Sequence, residues 1–375
     1  MRQPLTASFN RRALTGSFNR RALIGVTLTA FVLAACGSSV GTTSPITVVP
    51  TTGGSPNTTV PTVATEAAGP AATEAPAATE APGATEAPTA TQAPAATEVA
   101  VKDGGKLRIS AIPDQDPEKL NRLYGLVSTY LGDKLGVEVE YVPVTDYASA
   151  VSLFRAGDLD LVWFGGLTGV QARLQAPGSV IIAQRNIDES FHSVFIANAS
   201  AGLTPIADVA GLSVFGGKSF TFGSESSTSG RLMPQFFLDQ AGIGPDSFDG
   251  EAGFSGSHDK TIDLVAAGTY QAGALNESVW RKRIAAGTVD TTQVIELFVT
   301  PGYHDYHWML SPGAAERYGA GFADTVQSAL TGLSPDNPDD LAILDLFGAK
   351  GFVPSEAANY TDIEAIGRKL GLITG

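Results

Sequence analysis

The chain has 375 residues, enough for two ordinary domains, and carries 38 acidic against 24 basic residues. Residues 1–35 hold five of the basic residues and no acidic one, so the remainder is more acidic than the formal net charge of −14 suggests. This balance argues against nucleic acid or an anionic membrane surface as a partner, and a bound anion must be held by local donors.

The N-terminus has the pattern of an export signal. Arg20 and Arg21 precede an apolar run over residues 22–35, which is shorter than the roughly 20 residues needed to span a bilayer. The run ends in Leu-Ala-Ala-Cys-Gly at residues 33–37, which resembles a bacterial lipobox. We therefore predict that 1–35 is a lipoprotein signal peptide and that Cys36 is lipidated. A free thiol behind an ordinary signal peptide is the alternative, and the choice between Sec and twin-arginine export stays open.

Residues 36–103 are predicted to be a disordered tether. Their composition is almost entirely Ala, Thr, Pro, Glu, Gly and Ser, with repeats of the Ala-Thr-Glu-Ala-Pro type. Such a segment cannot bury enough apolar area to offset the entropy lost on ordering. A flexible chain of about 65 residues has a mean reach on the order of 45 Å.

From residue 104 onwards, apolar periodicity predicts strands that alternate with helices. The first predicted strands are 106–112, 137–143, 159–163, 179–184 and 193–198, with helices at 118–135, 147–156 and 166–174. A second series has a strand at 212–216, a helix after the serine-rich turn, a helix at 258–267 and strands at 271–275 and 293–298. After a strand at 306–310, helices are predicted at 313–330, 339–347 and 362–370. This alternation implies an α/β fold with parallel sheets.

A hydroxyl-rich turn at 223–230 lies between the predicted strand 212–216 and the helix that follows. The first amides of a helix have no intrahelical partner, and the positive end of the helix dipole favours anions. Three consecutive hydroxyl side chains at this turn, Ser227, Thr228 and Ser229, exceed what one N-cap requires. The turn therefore predicts an anion site, with an ordinary N-cap as the alternative.

Other polar and aromatic residues follow the predicted strands at the same kind of position. They are Asp146, Tyr147, residues 163–166, Ser257, His258 and Asn276. Ligands of open α/β sheets bind at the carboxyl ends of the strands. The convergence predicts a binding cleft between two lobes.

Residues 104–375 resemble the substrate-binding proteins of phosphate-, phosphonate- and phosphite-type ABC importers. The segments that carry the resemblance are 144–147, 160–165, 226–230, 255–259, 273–276 and 303–308. The resemblance implies a type II periplasmic-binding fold with crossing hinge strands, in which lobe one is 104–199 plus 299–375 and lobe two is 200–298. It implies capture of a small tetrahedral oxyanion (phosphonate, phosphite or phosphate) outside the cytoplasm, for ABC permease and ATPase subunits. The protein would act as a monomer without cofactor, metal or catalysis.

The resemblance also implies the ligand contacts. They are Tyr147, Ser227, Thr228, Ser229, His258 and Asp305. We also predict ligand contacts from Asn276, which follows a predicted strand, and from the aromatic residue Tyr306. Trp163 and Trp308 are expected to be packed instead. The family's aminoalkylphosphonate binders have an aromatic hydroxyl where this chain has Phe191 and His192, which disfavours aminoethylphosphonate.

Asp305 bears on the choice of oxyanion. A carboxylate that faces an anion repels it unless the two share a proton. Phosphorus oxyanions that lose their last proton near pH 6 can bring one, whereas selenate and sulfate cannot. If Asp305 faces the cleft, phosphite, phosphate or an alkylphosphonate is favoured. The alternative, since the chain is also similar to putative selenate-binding proteins, is a selenate-type ligand.

Two other classes of protein remain as lower alternatives. His304 and His307 form a His-x-x-His pair that suits a metal-binding importer lipoprotein, although residues three apart on a strand face opposite sides. A serine hydrolase would need a Gly-x-Ser-x-Gly elbow, which the serine-rich turn lacks.

Overall fold

The computed structural model describes residues 105–374. The predicted signal peptide, Cys36 and the tether lie outside these residues. The strands are β1 (Leu107–Ala111), β2 (Val139–Tyr141), β3 (Leu161–Phe164), β4 (Val180–Arg185), β5 (Ser193–Asn198), β6 (Phe220–Phe222), β7 (Gly253–Phe254), β8 (Ala272–Asn276), β9 (Val294–Val299), β10 (His307–Leu310) and β11 (Phe352–Pro354). The helices are α1 (Pro117–Leu135), α2 (Tyr147–Ala156), α3 (Gly166–Gln175), α4 (Met233–Gln240), α5 (His258–Ala266), α6 (Glu277–Ala285), α7 (Pro312–Tyr318), α8 (Phe322–Thr331), α9 (Pro338–Phe347) and α10 (Thr361–Lys369).

The strands form two sheets, one in each lobe. The first has the order β11-β4-β10-β3-β1-β2 and the second β7-β6-β8-β5-β9. β1 runs parallel to β2 and β3, whereas β10 and β11 are antiparallel to their neighbours. In the second sheet β6 is parallel to β7 and β8, and β5 is antiparallel to β8 and β9. The prediction of parallel sheets is therefore wrong at these strands, because the chain crosses between the lobes and the returning strands enter in the opposite direction.

Local sequence explains why the long helix α1 forms where it does. Asp116 accepts the amides of Glu118 and Lys119, Pro117 occupies the first turn, and Gly136 ends the helix at φ 67°. The apolar residues recur at helical spacing and are buried: Leu120, Leu123, Tyr124, Val127, Leu131 and Leu135. The helix is thus fixed against the first sheet, and its N-terminus points to the cleft side of β1.

The strand predicted at 212–216 is instead part of a 3₁₀ turn, Val209–Phe215. Leu212 and Phe215, which are both buried, are three residues apart, a spacing that puts them on one face of a helical turn. Asp208 accepts the amide of Gly211 and begins the turn. The strand that leads into the serine-rich turn is β6, a few residues later.

The predicted boundary between the lobes also differs from the structure. The predicted lobe one, 104–199 plus 299–375, includes β5, but β5 pairs with β8 and β9 in the second sheet. The chain crosses before this strand, where Phe191 and Tyr303 form an isolated antiparallel bridge. β9 extends the second sheet to Val299. The crossing segments are therefore residues 186–192 and 300–306, rather than a point at 199/200.

The predicted single helix at 313–330 is divided into α7 and α8. Gly319 and Gly321 lie between them with φ of 95° and 87°, a left-handed conformation that interrupts a helix. Three short elements, β7, α6 and β11, are not predicted from the sequence. No helix in residues 105–374 is long and apolar enough to cross a membrane.

Candidate functional site

The serine-rich turn opens a helix, as predicted, and its hydroxyls have different tasks. Ser227 is the N-cap, since its Oγ accepts the Gly230 amide at 2.9 Å. One wide turn of π-helix, Thr228–Leu232, follows and leads into α4. Ser229 Oγ is buried without a hydrogen-bond partner in the described residues. One hydroxyl thus makes the ordinary cap, and another remains free to contact a ligand.

Thr228 joins this turn to the first lobe. Its Oγ1 accepts the amide of Leu167, in the first turn of α3, at 3.0 Å. A Cβ atom at Gly165 would lie 3.1 Å from Thr228 Oγ1 and 3.3 Å from Asp305 Oδ1. The absence of a side chain at Gly165 therefore lets lobe one approach the turn closely.

Asp305 lies on the second crossing segment and faces the start of α3. Its Oδ1 accepts the Gly166 amide at 2.9 Å, whereas Oδ2, also buried, accepts no hydrogen bond from residues 105–374. Burial raises the pKa of Asp305 to about 7, although the Gly166 amide lowers it and Arg185 does so more weakly. The carboxyl group can therefore hold a proton near neutral pH and donate it from Oδ2.

Tyr147 is the first residue of α2, behind the N-cap Asp146. Its hydroxyl is buried and has no hydrogen-bond partner within the described part of the chain. Burial raises its pKa well above the usual value, and the nearby carboxyl of Asp114 raises it further. The phenol is thus an uncharged donor at neutral pH.

Tyr306 connects the two lobes. Its hydroxyl donates to Asp114 Oδ2 at 2.9 Å, and it lies 3.0 Å from Asn276 Nδ2 and 3.2 Å from His258 Nε2. The backbone amide of Asn276 donates to His258 Nδ1 at 3.4 Å, so Nε2 carries the ring proton. Tyr306, His258 and Asn276 therefore bond to one another in this structure, in a network that includes Asp114, a residue that the sequence analysis missed.

Burial sets the charge states of this network. It lowers the pKa of His258 to about 4, so the ring is neutral, and it raises the pKa of Asp114. Arg185 pairs with Asp188, Nε to Oδ2 at 2.6 Å. Its guanidinium also stacks 4.8 Å from the ring centre of Tyr306. The charge of Arg185 is therefore offset by Asp188 within the protein.

The remaining candidates have structural contacts. Trp163 and Trp308 are packed in the first lobe, as predicted, with ring centres 5.4 Å apart. His304 Nδ1 contacts Gln184, and His307 Nδ1 contacts the Asp305 carbonyl. The two histidines therefore have different surroundings, and no group of three metal-ligating side chains occurs in residues 105–374.

Comparison with known proteins identifies the family. The family model for the periplasmic substrate-binding protein of phosphonate ABC transporters matches residues 109–360. The chain belongs to this family. It is 48% identical over 268 residues to a probable ABC transporter phosphite-binding protein of Prochlorococcus marinus, with 71% of this chain and 90% of the relative covered. It is 26% identical to a phosphate-import protein of Mycolicibacterium smegmatis, with 70% and 79% covered.

Solved structures agree with the two-lobe fold. A structure of the P. marinus protein PhnD1 in complex with methylphosphonate has a TM-score of 0.71 and 47% identity, and the match covers 72% of this chain and all of that one. The binding component of a Pseudomonas aeruginosa ABC phosphonate transporter, at 17% identity and a TM-score of 0.60, shares the fold. These relatives are substrate-binding proteins of transporters rather than enzymes. The protein is thus an extracytoplasmic substrate-binding component of an ABC importer.

Proposed function

We propose that the protein captures phosphite or a small alkylphosphonate between its lobes and presents it to an ABC permease. The observation that carries this proposal is a set of three buried polar atoms without partners in the described residues: Tyr147 Oη, Ser229 Oγ and Asp305 Oδ2. They come from α2, the serine-rich turn and the crossing segment. A buried polar atom without a partner costs about 1–3 kcal/mol, and a ligand that bonds to all three recovers that cost.

The charges near these atoms favour an anion that carries a proton. The carboxyls of Asp114 and Asp305 both have raised pKa values, and the buried guanidinium of Arg185, whose charge acts on both carboxyls, is paired with Asp188. A fully ionised anion would be repelled by these carboxyls when they are ionised, and the charge of Arg185 is already offset by Asp188. A protonated phosphorus oxyanion can share a proton with Asp305 even when the carboxyl is ionised, whereas selenate and sulfate, which bring no proton at neutral pH, depend on the protonated form of Asp305.

The relatives support the same ligand class. The P. marinus relative carries the description of a probable phosphite-binding protein, and its solved structure is a complex with methylphosphonate. Phosphate, the ligand named for the more distant M. smegmatis relative, is the next candidate. We further propose that a lipid on Cys36 keeps the monomeric receptor at the membrane, with residues 36–103 as its tether.

Calorimetric titration tests the ligand assignment. The purified protein is titrated with phosphite, methylphosphonate, phosphate, sulfate and selenate at pH 7, and so are the variants Ser229→Ala and Ser226→Ala. Ser226 is the matched control, because it lies in the same serine run but its hydroxyl is not one of the three buried, unpartnered atoms. We expect phosphite or methylphosphonate to bind most tightly, Ser229→Ala to weaken binding, and Ser226→Ala to match the wild type. Preferential binding of selenate would refute the proton argument.

The proposed lipid anchor has a separate test. Expression of the full chain with Cys36→Ser should move the protein from the membrane fraction to the soluble extracytoplasmic fraction, because the acylated thiol is lost. Retention of the variant in the membrane fraction would contradict lipidation at Cys36.

A further inference from the structure

Two hydrogen bonds cross the cleft side by side, away from the unpartnered atoms of the candidate site. The backbone amide of His258, at the start of α5 in the second lobe, donates to the Asp114 carbonyl at 3.0 Å. The backbone amide of Asp116, which caps α1 in the first lobe, donates to Asp259 Oδ2 at 3.1 Å. Asp116 is solvent-exposed, whereas His258 and Asp114 are buried, so the Asp116–Asp259 bond is the one that lies at the edge of the cleft.

Asp259 is held in place for this contact by its own lobe. Arg283, on α6, donates from Nη1 to Asp259 Oδ1 at 2.9 Å, which leaves Oδ2 for the amide across the cleft. The same guanidinium donates from Nη2 to Asp263 Oδ1 at 2.9 Å. The positive charge of Arg283 also offsets the negative charge of the Asp259 carboxylate.

The geometry points to Asp259 as a positioning residue that stabilises the closed form from outside the ligand contacts. Its carboxylate takes the Asp116 amide when the lobes meet, and it loses that bond when they separate. The inference rests on the function proposed above, the capture of an oxyanion between the lobes, and takes the lobes to separate when the ligand leaves. It adds that the residence time of the ligand depends on a bond between the lobes that does not touch the ligand.

The test compares Asp259→Ala with Asp263→Ala. Asp263 is the matched control because it lies one turn further along α5 and pairs with the same guanidinium. Its side chain is 62% exposed and makes no hydrogen bond or ion pair with the first lobe within residues 105–374. Phosphite dissociation is measured by stopped-flow fluorescence, and the melting temperature of the ligand-free protein is measured beside it. We expect Asp259→Ala to accelerate dissociation about tenfold, the size of a charge-assisted hydrogen bond worth about 1.4 kcal/mol. Asp263→Ala should dissociate at the wild-type rate.

A purely structural role would give a different result. An acidic residue in the first turn of a helix stabilises that helix, so Asp259→Ala also lowers the melting temperature of the ligand-free protein slightly. Loss of helix stability alone would leave the dissociation rate unchanged. Asp259→Asn keeps an oxygen that can accept the Asp116 amide, and it should restore most of the slow dissociation.

The outcomes separate this inference from the proposed function. If the wild type binds phosphite and Asp259→Ala releases it at the wild-type rate, the positioning role is refuted and the ligand assignment stands. Equal acceleration in Asp259→Ala and Asp263→Ala would also refute it, since the effect would then come from the Arg283 ion pairs. If the wild type binds none of the oxyanions, the proposed function fails, and the inference that rests on it fails too.

Discussion

The substitution Asp305→Asn isolates the proton that we assign to the oxyanion site. Asparagine keeps an oxygen that can accept the Gly166 amide, as Asp305 Oδ1 does at 2.9 Å. It replaces the unpartnered Oδ2 with an amide nitrogen that is always a donor and never charged. The variant therefore mimics the protonated carboxyl group at every pH.

The size of the expected effect on phosphite affinity follows from the pKa of Asp305, which burial raises from 3.8 to about 7. A shift of about three pH units corresponds to a preference for the neutral form on the order of 4 kcal/mol. The proton is present below pH 7 and is lost as the pH rises through that value. Wild-type affinity for phosphite should therefore fall above pH 7, by at most about tenfold per pH unit, while Asp305→Asn loses this dependence.

The assay is calorimetric titration of both proteins with phosphite and with sulfate between pH 5.5 and 8.5. The ligand's own titration near pH 6 is common to both proteins and cancels in the comparison. Sulfate brings no proton, so Asp305→Asn should narrow the gap between sulfate and phosphite. Parallel pH profiles with the same preference in both proteins would refute the assignment of Asp305.

The same shift changes the stability of the ligand-free protein. The carboxyl's raised pKa favours folding below about pH 4 and this contribution is lost as the pH rises through 7. Asp305→Asn should therefore gain stability relative to the wild type between pH 4 and pH 8 in chemical denaturation. A constant difference across that range would contradict the raised pKa.

Four substitutions test other parts of the site. Ser229→Ala should weaken phosphite binding by about 1–3 kcal/mol in calorimetry, with little change in melting temperature. Ser227→Ala should also lose about 1 kcal/mol of folding stability, because it removes the N-cap. Equal melting temperatures for the two variants would contradict this division. Gly165→Ala should fold normally, because its φ of −77° suits alanine, but should weaken binding in the same titration by pushing the lobes apart; unchanged affinity would show that the lobes tolerate the methyl group. Tyr306→Phe should lower the free energy of unfolding by about 1–3 kcal/mol, measured with denaturant, since Asp114 loses a buried donor; an unchanged midpoint would refute the network.

Elements with local signals could be predicted from the sequence. The helix α2 was predicted with both ends correct, because Asp146 caps its start and Gly157 ends it in a left-handed conformation. The sheet to which β5 belongs could not be predicted, because five of its six residues are buried and no alternation marks a solvent face. Pairing with β8 and β9, which are distant in sequence, decides the sheet.

The candidate site shows the same limit. The hydroxyl of Ser229 could be predicted because a run of hydroxyls at the start of a helix is typical of an anion site. The carboxyl of Asp305 was predicted from the resemblance to the family. Asp114 was missed because its role depends on Tyr306, 192 residues away, and nothing in its local sequence indicates that contact. A polar residue just after the first strand was the signal that could have identified it.

The crossing segment relates ligand chemistry to closure through two adjacent residues. Asp305 has an unpartnered buried oxygen, which we propose contacts the ligand, and Tyr306 carries the hydrogen bonds that join Asp114 to Asn276. Because the two residues are neighbours in the chain, a shift of the backbone that brings Asp305 to the ligand also moves the Tyr306 hydroxyl. The protonation state that admits the ligand and the contact that holds the lobes together are then set by one segment. We expect Asp305→Asn to alter the preference between oxyanions without weakening the contact between the lobes. Tyr306→Phe should weaken that contact without altering the preference. A changed preference in Tyr306→Phe, or an unchanged one in Asp305→Asn, would show that the two residues do not divide these roles.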